Sequence, residues 1–341
     1  MAEMASSVEV AQARFALLHR ELGDVDFFHI PCCGMGGDAI ALLELLSPEK
    51  REKVFLSDIS PLSCAMANYN VRLQNQTPQV ICMDFRRDCL LPGKVNSYCF
   101  FDPSRRISGS RHLSGQYEPD LRSCLPILNK YSLSQIKLAP GEDLAEVSDL
   151  LANYDFAAIE HERELKELCA TRSSTTEENL CQQNRVAIRL RSGKTPAVWS
   201  HSERAAKIPE MAIPNTGFLM LPCKSLVKIR RDEVWAQNLG LDCIAESIYT
   251  SPQSMADPMC DTFRILGVEQ ERPRNLVRRL RSISTDYQIE LKIHRCRPSD
   301  ATRKAIAPFM KGKAGAPLLT LLPVQKGLSR QMLLLERCEG G

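Results

Sequence analysis

The chain has 341 residues, 44% of them hydrophobic and 25% charged, with a formal net charge of +3. A chain of that length and make-up can bury a sizeable core, in one large domain or two ordinary ones, and its overall charge marks no polyanion binder. No apolar run approaches the roughly 20 residues that cross a bilayer, and the start "MAEMASSVEVAQARF" lacks the basic-then-apolar pattern of a secretory leader. The fourteen cysteines stand singly apart from Cys32 and Cys33, with no C-x-x-C. Reduced, mostly buried thiols in a cytoplasmic protein are therefore expected, and a metal site is not.

In chain order, "SSVEVAQARFALLHREL" (6–22) predicts an amphipathic helix with a serine start. Strand 26–31, helix 38–46, strand 53–59, helix 60–74, strand 79–85 and strand 97–103 follow. A helix over "PDLRSCLPILNKY", a strand over "SQIKLAP", a helix over "EDLAEVSDLLANY" and a strand over "DFAAIEH" continue the rhythm. Short apolar strands alternating with helices predict a parallel sheet wrapped by helices. Residues 170–215 are polar and turn-rich, and predict loops and sheet-edge strands. A helix at 224–238 opens a different rhythm, with short segments at 243–250 and 260–270 and a basic helix "RPRNLVRRLRSIS". Strand "YQIELKIHR", helix "PSDATRKAIAPFM" and strands "APLLTLLPVQ" and "RQMLLLERC" complete a small α+β module. Residues 261–315 hold thirteen Lys/Arg against six Asp/Glu. That local excess suits nucleic acid, and a solvated basic face equally.

Four segments carry chemistry. In "PCCGMGGDA" the run Gly34, Met35, Gly36, Gly37, Asp38, Ala39 lets the backbone approach a ligand at the sheet's carboxyl edge, with Ala39 in the place of a last glycine. Asp58 ends the second strand, where a carboxylate accepts hydrogen bonds from ribose hydroxyls of NAD or S-adenosylmethionine. Asp84 ends the third, placed for an adenine edge, and Asp102 the fourth. "FFDPSRR" sets Asp102, Pro103, Ser104, Arg105 and Arg106 on a rigid turn, and two adjacent arginines suit a phosphate or carboxylate. Cys32 and Cys33 fit end-of-strand packing better than metal ligation.

The segments "CCGMGGDAIAL", "SDISPLSCAMANYN", "FFDPSRR" and "IKLAPG" together resemble class I S-adenosylmethionine-dependent methyltransferases with a C-terminal THUMP-like domain. The stretch "GFLMLPCKSLVKI … YQIELKIHR … APLLTLLPVQKGLSRQMLLLER" resembles that appended domain. The resemblance implies a Rossmann-like, doubly wound α/β fold with a smaller C-terminal α+β domain. It divides the chain into an N-terminal helix (1–22), a cofactor-binding domain (23–215) and a THUMP-like domain (216–341). S-adenosylmethionine is the implied cofactor, held by Cys33, Gly34, Gly36 and Asp38 around its methionine part, Asp58 and Ile59 at its ribose, and Asp84 and Phe85 near its adenine. Asp102 to Arg106 would form the methyl-transfer edge, because the turn resembles the Asp/Asn-Pro-Pro-aromatic turn of amino-methyltransferases. Ser104 replaces the second proline and Arg105 the aromatic residue. An RNA substrate, tRNA or rRNA, is implied, touched by Arg105, Arg106, Lys137, Arg278, Arg279 and Arg281, with Glu160 and Glu164 also candidates for the cleft. A non-catalytic RNA-binding protein on the same fold, a small-molecule methyltransferase and a nicotinamide oxidoreductase are the alternatives. For the last, no Tyr-x-x-x-Lys or His–Asp arrangement stands out.

Overall fold

Helix α1 (Val8–Ala16) turns Val10, Ala11, Arg14 and Phe15 inward, and the Ser7 side chain caps it by accepting from the Val10 N–H. In the computed structural model, residues 7–87, 95–104, 106–107, 110–111, 117–174, 183–202, 207–283, 287–294, 296–310, 316–326 and 328–338 are described. The expected helix over 6–22 divides at Leu17 and Leu18, and its remainder is the short helix His19–Gly23. Five parallel strands follow: β1 (Phe27–Pro31), β2 (Val54–Asp58), β3 (Gln79–Cys82), β4 (Ser97–Phe101) and β5 (Leu133–Leu138). They lie in the order β3-β2-β1-β4-β5. Every residue of β1, β4 and β5 is buried, as expected of strands covered on both faces.

Helices α2 (Gly37–Leu45), α3 (Pro61–Leu73), α4 (Leu121–Leu128) and α5 (Leu144–Leu150) alternate with these strands. Phe15, Phe28, Ile30, Leu42, Leu56, Val71 and Phe100 share one core. Connections run outward from β1 towards β3 on one side and from β4 towards β5 on the other. The strand order thus reverses between β1 and β4, and in doubly wound sheets ligands bind outside the carboxyl ends at such a point.

Beyond β5 the structure departs from the sequence reading. β6 (Asp155–His161) forms a hairpin with β7 (Glu164–Ser173), and β7 inserts antiparallel between β5 and β6. Its sequence, ELKELCATRS, is exposed at one end and buried in the middle, so no period-2 pattern announces it. β8 (Arg185–Leu190) pairs parallel to β6, and β9 (Ala197–His201) closes that edge.

The chain divides into two compact units. The first comprises residues 1–203 and 224–229, the second 204–223 and 230–341. The helix expected over 224–238 is two: α6 (Lys224–Lys228), within the first unit, and Asp232–Asn238 in the second. Between them Arg230 takes a φ of 54°, which no right-handed helix accommodates.

The second unit is built on a sheet of β10 (Phe218–Pro222), β11 (Asp242–Ala245), β12 (Ile248–Ser251), β13 (Cys260–Gln270), β14 (Gln288–Leu291), β15 (Leu318–Lys326) and β16 (Ser329–Arg337). The order is β11-β12-β10-β13-β16-β15-β14. Alternation along β16 sends Met332 and Leu334 to a core that includes Leu276, Leu280 and Ile306, and Leu333 and Leu335 to the opposite face. Leu276 and Leu280 come from helix α7 (Pro273–Ile283), and Ile306 from α8 (Asp300–Ile306).

Candidate active site

The loop after β1 owes its shape to a few backbone conformations. Cys32, Gly34 and Gly36 take φ values of 55°, 52° and 84°. A Cβ on Gly36 would lie 3.3 Å from the Ala67 Cα and 3.4 Å from the Val71 Cγ2, so glycine lets α2 approach α3 there. Gly36 is therefore a close-packing position between these helices. Cys32 stands in the left-handed region without being a glycine. The Asn70 amide donates to the Met35 carbonyl at 2.9 Å and ties the loop to α3. Cys33 is half-buried, its N–H donates to the Ser57 carbonyl at 3.0 Å, and burial pushes both thiols up. Among the described residues no group of three or more His, Cys, Asp or Glu could hold a metal ion, and no helix is long and apolar enough to cross a membrane.

Asp58 braces the loop from β2. Its Oδ2 accepts from the Gly34 N–H at 3.0 Å and its Oδ1 from the Ser60 N–H at 2.9 Å. Each oxygen keeps a second lone pair that can accept from a hydroxyl. Ile59 beside it is 62% exposed, an apolar surface flanking that carboxylate. Asp84 is engaged instead by Arg86, whose Nε and Nη2 both donate at 3.0 Å, and by Arg87. Those hydrogen bonds hold its carboxyl low, so an adenine contact here would fall to the backbone. Phe85 is buried, its ring packed on Phe101 at 5.4 Å and His29 at 5.7 Å.

At the ends of β4 and β5 lies a cluster of five charges. Lys137 Nζ donates to Asp102 Oδ2 at 2.7 Å and to Asp38 Oδ2 at 3.0 Å. Arg14 pairs through Nη2 with the other Asp38 oxygen, and its Nη1 donates to both oxygens of Glu167, at 3.0 and 3.1 Å. Its guanidinium also lies over the rings of Phe100 (4.3 Å) and Phe15 (4.6 Å). Exposure is lowest at Arg14, whose side chain is 0% exposed, and highest at Asp102, at 29%, with Lys137 at 7% and Asp38 at 15% between them. Burial opposes ionisation of Asp38, but Arg14 and Lys137 outweigh it and hold the carboxyl well below the usual range. Burial pushes Asp102 up and Lys137 pulls against it; burial likewise raises Glu167 against Arg14. Asp38, expected against the cofactor, is thus first a bridge between two cations.

The structure brings together Gly34, Gly36, Asp38, Asp58, Asp102 and Lys137 on one sheet edge. Pro103 is buried, and Ser104 exchanges two backbone hydrogen bonds of 2.8 Å with Glu118. Arg105 lies outside the described residues, and of Arg106 only the backbone, in the short strand Arg106–Ile107, is described. Glu160, near the carboxyl end of β6, is buried, pairs with Arg189 at 3.2 Å and accepts from the Lys224 N–H. Glu164 starts β7 as an exposed partner of Lys166. Arg278, Arg279 and Arg281 are exposed on α7, in the second unit.

Sequence reasoning missed Arg14, Glu167 and the groups beneath the loop. A charge among the inward positions Val10, Ala11 and Phe15 of α1 was the available signal for Arg14. Glu167 lies on the strand that went unpredicted. His29 on β1 sits between the Tyr131 hydroxyl (2.6 Å) and the Ser57 hydroxyl (2.8 Å), and burial pushes it down to about 3, so it is neutral. The Tyr117 hydroxyl accepts from the Ala139 N–H at 3.0 Å and donates to Glu142 at 2.8 Å, tying the segment before α4 to the turn after β5.

No protein-family model matches the sequence, and no curated protein does. Solved structures do. A "putative methyltransferase from Porphyromonas gingivalis W83" superposes with a TM-score of 0.76 at 20% identity, over 99% of this chain and 82% of that one. The human methyltransferase 10 domain containing protein aligns at 13% identity and TM-score 0.38, over 50% of this chain and 85% of that one. The Pyrococcus abyssi tRNA (uracil-54, C5)-methyltransferase, in complex with S-adenosyl-L-homocysteine, aligns at 20% identity and TM-score 0.31, over 46% of this chain and 37% of that one. The last two overlaps are too slight to argue from. The first shows the fold: a Rossmann-like α/β sheet with a smaller α+β unit after it.

Proposed function

We propose that the chain is an S-adenosylmethionine-dependent methyltransferase acting on an RNA base. The observation that carries this reading is the edge at the β1/β4 switch point. There the glycine loop braced by Asp58, the exposed Ile59 and the Lys137–Asp102 pair converge. The residues fit the cofactor: Asp58 retains acceptor capacity for ribose hydroxyls, and Gly34 and Gly36 keep the loop backbone open to a methionine moiety. S-adenosylmethionine supplies a methyl group on a sulfonium, whose transfer depends mainly on in-line placement. Asp102, the most exposed of the five charges, is placed to accept a hydrogen bond from the attacking group, with Lys137 fixing its orientation.

The RNA part of the reading rests on α7. Arg278, Arg279 and Arg281 are exposed while Leu276 and Leu280 anchor the helix, so the cations are presented on a fixed scaffold. Arginines so presented suit phosphate contacts. Calorimetry with S-adenosylmethionine, S-adenosylhomocysteine and NAD tests the cofactor, and binding of neither sulfur nucleoside would sink the reading. A tritiated-methyl assay on total RNA, comparing parent with Asp102→Ala, tests substrate and site together.

A further inference from the structure

We infer that Arg14, delivered by the N-terminal helix, is a positioning residue that holds Asp102 at the cleft edge through Asp38 and Lys137. Its bearing on methyl transfer rests on the function proposed above. The contacts form one uninterrupted series, Glu167–Arg14–Asp38–Lys137–Asp102, drawn from β7, α1, α2, β5 and the end of β4. Arg14 is the member that cannot swing away. Its guanidinium is fully buried, forked between Glu167 and Asp38 and covered by two rings. By fixing one Asp38 oxygen it leaves the other for Lys137 in a single direction. Lys137 is then shared between Asp38 and Asp102, and Asp102 is aimed accordingly. Without Arg14, Asp38 would compete for the whole of Lys137, and Asp102 would lose both its anchor and part of its charge compensation. A lysine at position 14 would keep the charge and lose the two separately aimed nitrogens, Nη1 on Glu167 and Nη2 on Asp38. Helix α1 is on this account part of the active centre and not a peripheral lead-in.

The test reads Asp102 directly, without cofactor, in the full-length protein. Aspartate carboxyls labelled with ¹³C are titrated by NMR, and Asp102 is assigned by its loss in Asp102→Asn. The charges facing it are Lys137, Asp38, Arg14 and Glu167, with the Cys32 thiol nearby. In the charge-balanced variant Arg14→Met/Glu167→Gln, the Asp102 midpoint should rise by about one pH unit, the low end for loss of a neighbouring cation. Arg14→Lys, which keeps the charge and loses the fork, should give a smaller rise in the same direction. In an Asp38→Asn background the effect of Arg14→Lys should vanish, because the link is already cut. An unchanged midpoint in a folded Arg14→Met/Glu167→Gln protein would overturn the inference. If that variant does not fold, an unchanged midpoint in Arg14→Lys does the same, and so does an equal Arg14→Lys effect with and without Asp38. Failure of the parent to bind S-adenosylmethionine would instead count against the proposed function, leaving the Asp102 measurement to stand by itself.

Discussion

Arg14 and the three arginines of α7 are the same residue type put to opposite uses. Arg14 is sealed in the first unit between two carboxylates and two aromatic rings; Arg278, Arg279 and Arg281 stand exposed on the second. A buried cation acts through geometry over a few ångströms and is barely screened, whereas exposed cations act through a field that salt attenuates within about 10 Å. Changes at the cleft should therefore be large and insensitive to salt, and changes on α7 smaller and strongly salt-dependent.

The largest effect that would sharpen this contrast belongs to His29. Its folded form is neutral, with a midpoint lowered to about 3, while an unfolded chain protonates it near 6.5. Stability is thus complete above pH 6.5 and falls with pH towards 3, by on the order of 4 kcal/mol across that window. Urea melts from pH 7 to pH 4 should show that loss, and His29→Gln should flatten it; the same slope in both proteins would remove His29 as its source. Next, Asp102→Ala should lower methyl incorporation by about 100-fold or more, the range for a positioned polar group in catalysis. Cofactor binding should change far less, and the ratio should hold between low and high salt. A strong salt dependence of that ratio would break the contrast.

Gly36→Ala should destabilise by about 2 kcal/mol, because the new Cβ meets the Ala67 backbone and the φ is left-handed. Gly34→Ala meets nothing within 4 Å and should cost about half as much in a thermal melt. Reversing Arg278, Arg279 and Arg281 to Glu should weaken RNA binding about tenfold at physiological salt and reduce the salt slope by about 3. If affinity drops with an unchanged slope, those side chains are not phosphate contacts. Smallest is Asp84→Ala: its carboxylate is engaged by Arg86 and Arg87. S-adenosylmethionine affinity should move by less than about threefold, as for an exposed ion pair.

How much was legible differs between the parts of the site. The strand-ending acids Asp58 and Asp102 could be placed because each closes a short apolar run, and the carboxyl ends of parallel strands share one edge. The glycine loop was legible as a loop, but the left-handed turn at Cys32 was not, since that residue is not a glycine. Asp84 falls two residues beyond β3, shorter than the expected strand over 79–85, and its carboxylate is taken up by Arg86 and Arg87 close by in sequence. Glu160 and Glu164 read alike in sequence and ended apart: one buried with Arg189, the other exposed with Lys166.

Local pattern alone determined the alternation of strands and helices, the parallel sheet that alternation predicts and the basic face of α7. Each follows from the period of the apolar residues or from charges that need no partner to act. Tertiary structure decided the insertion of β7, the break of the helix at Arg230 and the series from Glu167 to Asp102. The last of these joins residues 24 to 153 positions apart. Ion pairs over such separations leave no periodic trace, because each charge is compensated only after the chain has folded and brought its counter-ion to it.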